Sequence, residues 1–176
     1  GAFTMPAKKA SKPFVQKGCG LAKSGHIAAL SISSVVERKC KKAGISYCNI
    51  MAEFIAYLTS QGYQVYMFAN AARMHSKKPR NNDLMTGDAV AQAYQKLGIG
   101  NDGAFIWEHK ELDAEEIRER IGQCEFLIAS RFHAMVFALA EQVPVMLIGW
   151  SHKYQEVMEQ FGLGEYATDY SSLSFQ

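Results

Sequence analysis

The sequence has no uninterrupted apolar run approaching the roughly 20 residues that a membrane-spanning helix needs, and no charged-then-apolar start of the kind that directs secretion. Cysteine is scarce and solitary. Cys19, Cys40, Cys48 and Cys124 form no Cys-x-x-Cys pair and no metal-ligand spacing, which argues against zinc ribbons and redox motifs and for reduced thiols in a cytoplasmic protein. An excess of one charge is lacking too. The 19 Lys and Arg against 17 Asp and Glu leave a formal charge of +2, so bulk electrostatics demand neither a nucleic acid nor a membrane surface. Internal repeats are absent. What is present is ordinary for a folded chain: 48% hydrophobic and 20% charged residues over 176 positions, enough for one domain with a real core and short for two.

The first residues differ from the rest. Gly1-Ala2-Phe3-Thr4 precedes Met5, and Lys8, Lys9, Lys12 and Lys17 run through small residues and two prolines without amphipathic period. Residues 1–25 are therefore expected to be a tag, linker or flexible basic tail, and residues 26–176 the domain proper.

From His26 the pattern becomes periodic. His26 to Ser33 is an apolar run of strand length ending in a small-polar turn at Ser33-Ser34, followed by a charged surface segment from Glu37 to Lys42. Ser46 can cap a helix carrying Ile50, Phe54, Ile55 and Leu58, which Gly62 stops, and Gln64 to Ala69 is a second strand closed by Asn70. After a polar loop, Asp83 is placed to cap a helix running to about Leu97. Ala104 to Trp107 is a short strand, and Asp113 with Glu116 forms a capping-box-like start to a helix ended by Gly122. Phe126 to Ala129 is a strand that turns through Ser130-Arg131-Phe132-His133 into an apolar helix, Ala134 to Ala140. Val143 to Ile148 is a further strand, and Gly149 to Lys153 turns into a helix with Tyr154, Val157, Met158 and Phe161 on one face. This alternation predicts an α/β domain with a Rossmann-like, open, mostly parallel sheet and helices on both faces, and at least five strands. Such sheets bind ligands outside the carboxyl ends of their strands.

Three of the predicted strand-to-helix turns carry unusual chemistry. Arg131 and His133 follow one strand, Trp150, Ser151, His152 and Lys153 another, and Asn70 and Arg73 a third. Amino ends of helices favour anions through free amides and partial positive charge, so cations there act against the helix dipole unless an anion compensates. Arg suits a carboxylate or phosphate bidentately, Lys adds a point charge, and His is the side chain that carries protons near neutral pH. The turns therefore predict an anion site on Arg131, His133 and Lys153, with Ser130, Asn70, Arg73, Trp150, Ser151 and Glu156 as further ligand contacts. No metal constellation is visible, and His26, His75 and His109 belong to no cluster.

The stretch Ser-Arg-Phe-His-Ala at 130–134, Val-Pro-Val at 143–145 and Gly-Trp-Ser-His-Lys-Tyr-x-Glu-Val-Met at 149–158 resembles the signature of the polysaccharide pyruvyl transferase family. Ser34-Val35-Val36-Glu37-Arg38, Phe68 to Arg73 and Arg80-Asn81-Asn82-Asp83 resemble its earlier segments, so that the likeness runs from about Ile27 to Leu173. The resemblance implies one half, the carboxy-terminal one, of a bacterial, cytoplasmic enzyme of glycosyltransferase-B-like architecture. Family members attach a pyruvyl ketal from phosphoenolpyruvate to a sugar hydroxyl pair, here on a glycan or lipid-linked precursor of a cell-surface polysaccharide. The family's donor-binding and catalytic Arg, His and Lys correspond to Arg131, His133 and Lys153. Phosphoenolpyruvate is then the donor substrate, no cofactor is implied, and no nucleic acid is a partner. The amino-terminal domain would be the other wall of the cleft, so that this chain alone is expected to be inactive and its uncovered face to favour self-association. Two other functions fit the same turns: a nucleotide-sugar-dependent glycosyltransferase, with Glu156 toward the ribose, and a non-catalytic anion- or carbohydrate-binding module.

Overall fold

Ile27–Ile32 (β1) is apolar on both faces apart from Ser31, and every one of its residues is buried, the signature of a strand covered on both sides. Ala28, Leu30 and Ile32 join one core cluster while Ile27 and Ala29 join another, as the two-residue period of a strand requires. The computed structural model describes residues 26–70, 82–100, 103–149 and 167–169.

The first core is covered by three helices. Ser34–Lys42 (α1) contributes Val36 and Cys40, Tyr47–Ser60 (α2) contributes Met51, Ile55 and Leu58, and Asp83–Lys96 (α3) contributes Val90 and Tyr94. The opposite core is covered by Ala114–Gly122 (α4), through Ile117 and Ile121, and by Phe132–Ala140 (α5), through Ala134, Met135 and Ala138. Between these layers lie Gln64–Ala69 (β2), Phe105–Glu108 (β3), Phe126–Ala129 (β4), Val145–Gly149 (β5) and Ala167–Asp169 (β6). With β1 they form a six-stranded sheet of order β3-β2-β1-β4-β5-β6, parallel at every pairing. The open, parallel α/β fold expected from the alternation of strands and helices is therefore present. The chain builds outward from β1 through β2 to β3, then returns to place β4 on β1's other side. Strand order thus reverses between β1 and β4, and the crevice at their carboxyl ends is where such sheets bind ligands.

Three local expectations are corrected. Ser33-Ser34 is not a turn but the start of α1, with Ser33 Oγ accepting from the Val36 amide at 3.3 Å. Glu37 to Lys42 is correspondingly helical. Val36 and Cys40, four residues apart, bury one narrow stripe, and the charged residues around them hid the period. At α3 the cap is Asn82, whose Oδ1 accepts from the Leu84 amide at 3.1 Å, so Asp83 is the first helical residue and its carboxylate is directed elsewhere. Ser46 stands at the start of α2 but makes no side-chain capping bond. The capping box on Asp113 and Glu116 is formed as expected.

Gly87 in α3 lies against the face of β3. A Cβ there would fall 2.1 Å from the Trp107 ring, whose Nε1 donates to Asp88 at 3.0 Å. Because the indole is held by that bond as well as by packing, Gly87→Ala is expected to destabilise the fold by about 1–3 kcal/mol, read as a lowered Tm. Unchanged stability would mean that Trp107 can leave this position freely. Among the described residues no helix is long and apolar enough to cross a membrane.

Candidate active site

Three helix amino ends meet at the carboxyl ends of β1 and β4. β1 leads into α1 through Ser33, and β4 leads into α5 through Ser130 and Arg131, with the Ser130 amide donating to the Ser31 carbonyl at 2.9 Å. The start of α3 is drawn to the same point by Asp83, whose Oδ1 accepts from the Ser34 amide at 2.8 Å. Arg131 then closes the cluster. Its Nε donates to Asp83 Oδ2 at 3.0 Å and its Nη2 to Asp83 Oδ1 at 2.6 Å, and Nη2 also reaches Ser34 Oγ at 3.3 Å. Asp83 is fully buried, and the Arg131 side chain keeps 16% of its surface exposed.

This pairing revises the electrostatic argument made from the turns. A cation at the start of α5 does need a compensating anion, and Asp83 supplies it from within the chain. The carboxylate also sits where the amino ends of α1 and α3 both favour negative charge. Arg131 is thus a clamped, neutralised guanidinium that reaches the cleft with its remaining edge. It is not an open cation waiting for a ligand.

A second polar network supports the first from below. The Ser33 amide donates to Tyr47 Oη at 3.3 Å, and Tyr47 Oη lies 3.0 Å from Ser130 Oγ. Burial pushes the Tyr47 phenol well above its ordinary range and the nearby Asp83 charge adds to this, against the lowering by the Ser130 and Ser33 hydrogen bonds. Tyr47 accordingly remains a neutral hydroxyl. Ser130 is buried, and its hydroxyl is engaged by Tyr47. On the other side of α1, Glu37 accepts from Thr86 Oγ1 and, at 3.4 Å, from Cys48 Sγ. Burial above all, with the Glu37 charge, pushes the Cys48 thiol up to about 12. Since the thiolate is the nucleophile, Cys48 is expected to alkylate far more slowly than an ordinary cysteine at pH 8.5, as mass spectrometry of an iodoacetamide time course would record. Labelling at the rate of a free thiol would contradict the burial of this thiol against Glu37.

His133 is the second residue of α5, exposed, with its ring edge-on to Phe132 at 6.1 Å between centroids. The N-cap residue of α5, Arg131, makes no side-chain capping bond, its guanidinium being turned to Asp83. Asn70 follows β2, and its Oδ1 is buried without a hydrogen-bond partner among the described residues. Arg73, Trp150, Ser151, Lys153 and Glu156 lie outside the described residues. His26 and His109 contact Glu125 and Asp88 at 2.6 and 3.3 Å, away from this cluster. The residues that the sequence reading missed are Asp83, taken only as a cap, and Tyr47, Ser33 and Ser34. Among the described residues no group of three or more His, Cys, Asp or Glu could hold a metal ion.

A cavity of about 290 Å³ lies elsewhere, between α3 and β3, lined by Ala91, Tyr94, Gln95, Gly100, Phe105 and Trp107. Among the described residues its lining carries no cation to balance a charged donor.

Comparison with known proteins adds the family. A family model described as polysaccharide pyruvyl transferase matches residues 12–152, most of the chain, and no solved structure matches it.

Proposed function

We propose, from the premise that this chain belongs to the polysaccharide pyruvyl transferase family, that the β1–β4 crevice is its donor site and that the donor is phosphoenolpyruvate. The observation that carries the proposal is the start of α5: a helix amino end, the Nη1 side of a clamped Arg131 and an exposed His133, all at the strand-order reversal. Amides at a helix start and a rigid guanidinium suit the two anionic groups of such a donor. With Asp83 already neutralising Arg131, further positive charge is needed for a donor of this charge. Lys153 and the α5 amides would supply it, with Asn70, Arg73, Trp150, Ser151 and Glu156 as further contacts.

In the reaction proposed, a proton adds to the methylene carbon of phosphoenolpyruvate. Two hydroxyl oxygens of a sugar bond to its C2, and phosphate leaves. The two hydroxyls lose two protons, of which one ends on the new methyl group and one on the departing phosphate. His133 is assigned one of these transfers, a contribution of about 10²–10⁴ in rate. The acceptor would be a glycan or lipid-linked sugar on the cytoplasmic side, where the donor is made.

The family resemblance also supports a cleft between two domains, of which this chain forms the donor wall. One wall gives incomplete water exclusion and orientation, effects worth roughly 7–11 kcal/mol of a barrier when complete. This chain by itself is therefore expected to bind phosphoenolpyruvate in the millimolar range, about −4 kcal/mol, and to transfer nothing, whereas the two-domain enzyme releases phosphate only when a sugar acceptor is present. Phosphate release with a panel of sugar acceptors, together with competition between phosphoenolpyruvate and uridine diphosphate for binding, tests this. Robust turnover by this chain alone would contradict the two-wall reading, and preferential binding of uridine diphosphate would contradict the donor.

A further inference from the structure

Asp83 was expected only to begin a helix, yet its fully buried carboxylate ties two helix starts together at the crevice. It accepts from Arg131 Nε and Nη2 and from the amide that opens α1. A guanidinium has two forks that can each take a carboxylate or phosphate: the side edge made by Nε and one Nη, and the end made by both Nη groups. Asp83 occupies the side edge. No described group bonds Nη1, and the Arg131 side chain is partly exposed.

We propose that Asp83 is a positioning residue for pyruvyl transfer, which binds the side edge of Arg131 and thereby aims the remaining N–H groups, those of Nη1, at the anionic donor. This rests on the reading of Arg131 as a donor ligand. The role follows from rigidity. An arginine side chain has several rotatable bonds, and holding it in one geometry costs rotamer entropy. Asp83 settles that cost before the donor arrives, and Ser34 Oγ at 3.3 Å from Nη2 restrains the rotation that remains. Because Asp83 is joined to the α1 start as well as to Arg131, it also fixes the distance between the two sides of the crevice. The donor would meet a guanidinium whose orientation is already set and whose charge is already balanced. Discrimination then comes from the fixed direction of the Nη1 N–H groups more than from net attraction.

The test separates this role from a merely structural one. Phosphoenolpyruvate is titrated into the wild type, Asp83→Asn, Arg131→Gln, the double variant and Leu58→Ala, a core truncation in α2 that lowers stability away from the crevice. Asp83→Asn is expected to weaken donor binding by about tenfold or more, the scale found when partners that orient a ligating group are removed. Leu58→Ala should leave affinity per folded molecule within about twofold despite its lower Tm, and the double variant should bind no worse than Arg131→Gln, because Asp83 acts through Arg131. If Arg131→Gln keeps wild-type affinity, the donor-site reading falls and this proposal with it. If Arg131→Gln weakens binding but Asp83→Asn does not, only the positioning role is overturned. Should the variants fail to fold, the wild type answers by NMR of the arginine side chains. The Arg131 Nε–H is expected to exchange slowly and to shift little on adding phosphoenolpyruvate, while the Nη1 signals move. A donor that shifts Nε–H as strongly as Nη1 would be displacing Asp83, and the proposal would be wrong.

Discussion

In the two-domain enzyme proposed above, His133→Ala is expected to lower turnover by about a hundredfold or more while donor affinity stays within a few-fold. The asymmetry comes from where His133 stands. It is exposed and makes no ion pair among the described residues. Its loss therefore removes little packing and no compensating charge, so fold and donor site should survive. What disappears is the one imidazole at the crevice among the described residues, two residues beyond the clamped Arg131. An effect on affinity as large as that on turnover would make His133 a donor ligand without a proton-transfer role. An unchanged turnover would remove it from the chemistry.

The second large effect concerns stability. Arg131→Ala is expected to cost about 3–5 kcal/mol, because it removes the guanidinium that balances the buried Asp83 carboxylate. At roughly 2–4 °C per kcal/mol for a domain of this size, the loss should be plain in a thermal melt. Removing both charges with Asp83→Asn and Arg131→Met should recover much of it, since a buried ion pair replaced as a unit is often nearly neutral. A small effect for Arg131→Ala would indicate that water or another group reaches Asp83 readily. The same coupling warns against reading donor affinity from Arg131→Ala without measuring the folded fraction beside it.

The split between what local sequence showed and what it hid follows the range of the interactions. Strands such as Phe126–Ala129 are short apolar runs between turn residues, and the capping box at Asp113 is complete within three residues of chain. Both are local, so both were legible. The sheet order was legible only as a class, because β1 pairing with β4 depends on long-range closure. The crevice cluster was half legible. Arg131 and His133 stood out because a cation and an imidazole at a helix start conflict with ordinary preference, which is where function is expected to break local rules. Asp83 did not stand out. An aspartate near a helix start looks like a cap, and its true partner lies 48 residues further on. Displacing the cap by one residue, onto Asn82, is what frees the carboxylate to turn toward Arg131. Tyr47 was hidden in the same way, as one aromatic among several on an amphipathic helix, its hydroxyl 83 residues from Ser130.

The most direct measurement is a map of backbone amide shifts during a phosphoenolpyruvate titration. If the β1–β4 crevice is the donor site, the largest changes will fall on Phe132, His133 and Ala134 at the start of α5, with smaller ones at Ser34 and Asp83, and will saturate in the millimolar range. Changes centred on the carboxyl end of β3 or the Trp107-lined cavity, or none at tens of millimolar by the same affinity scale, would contradict the account.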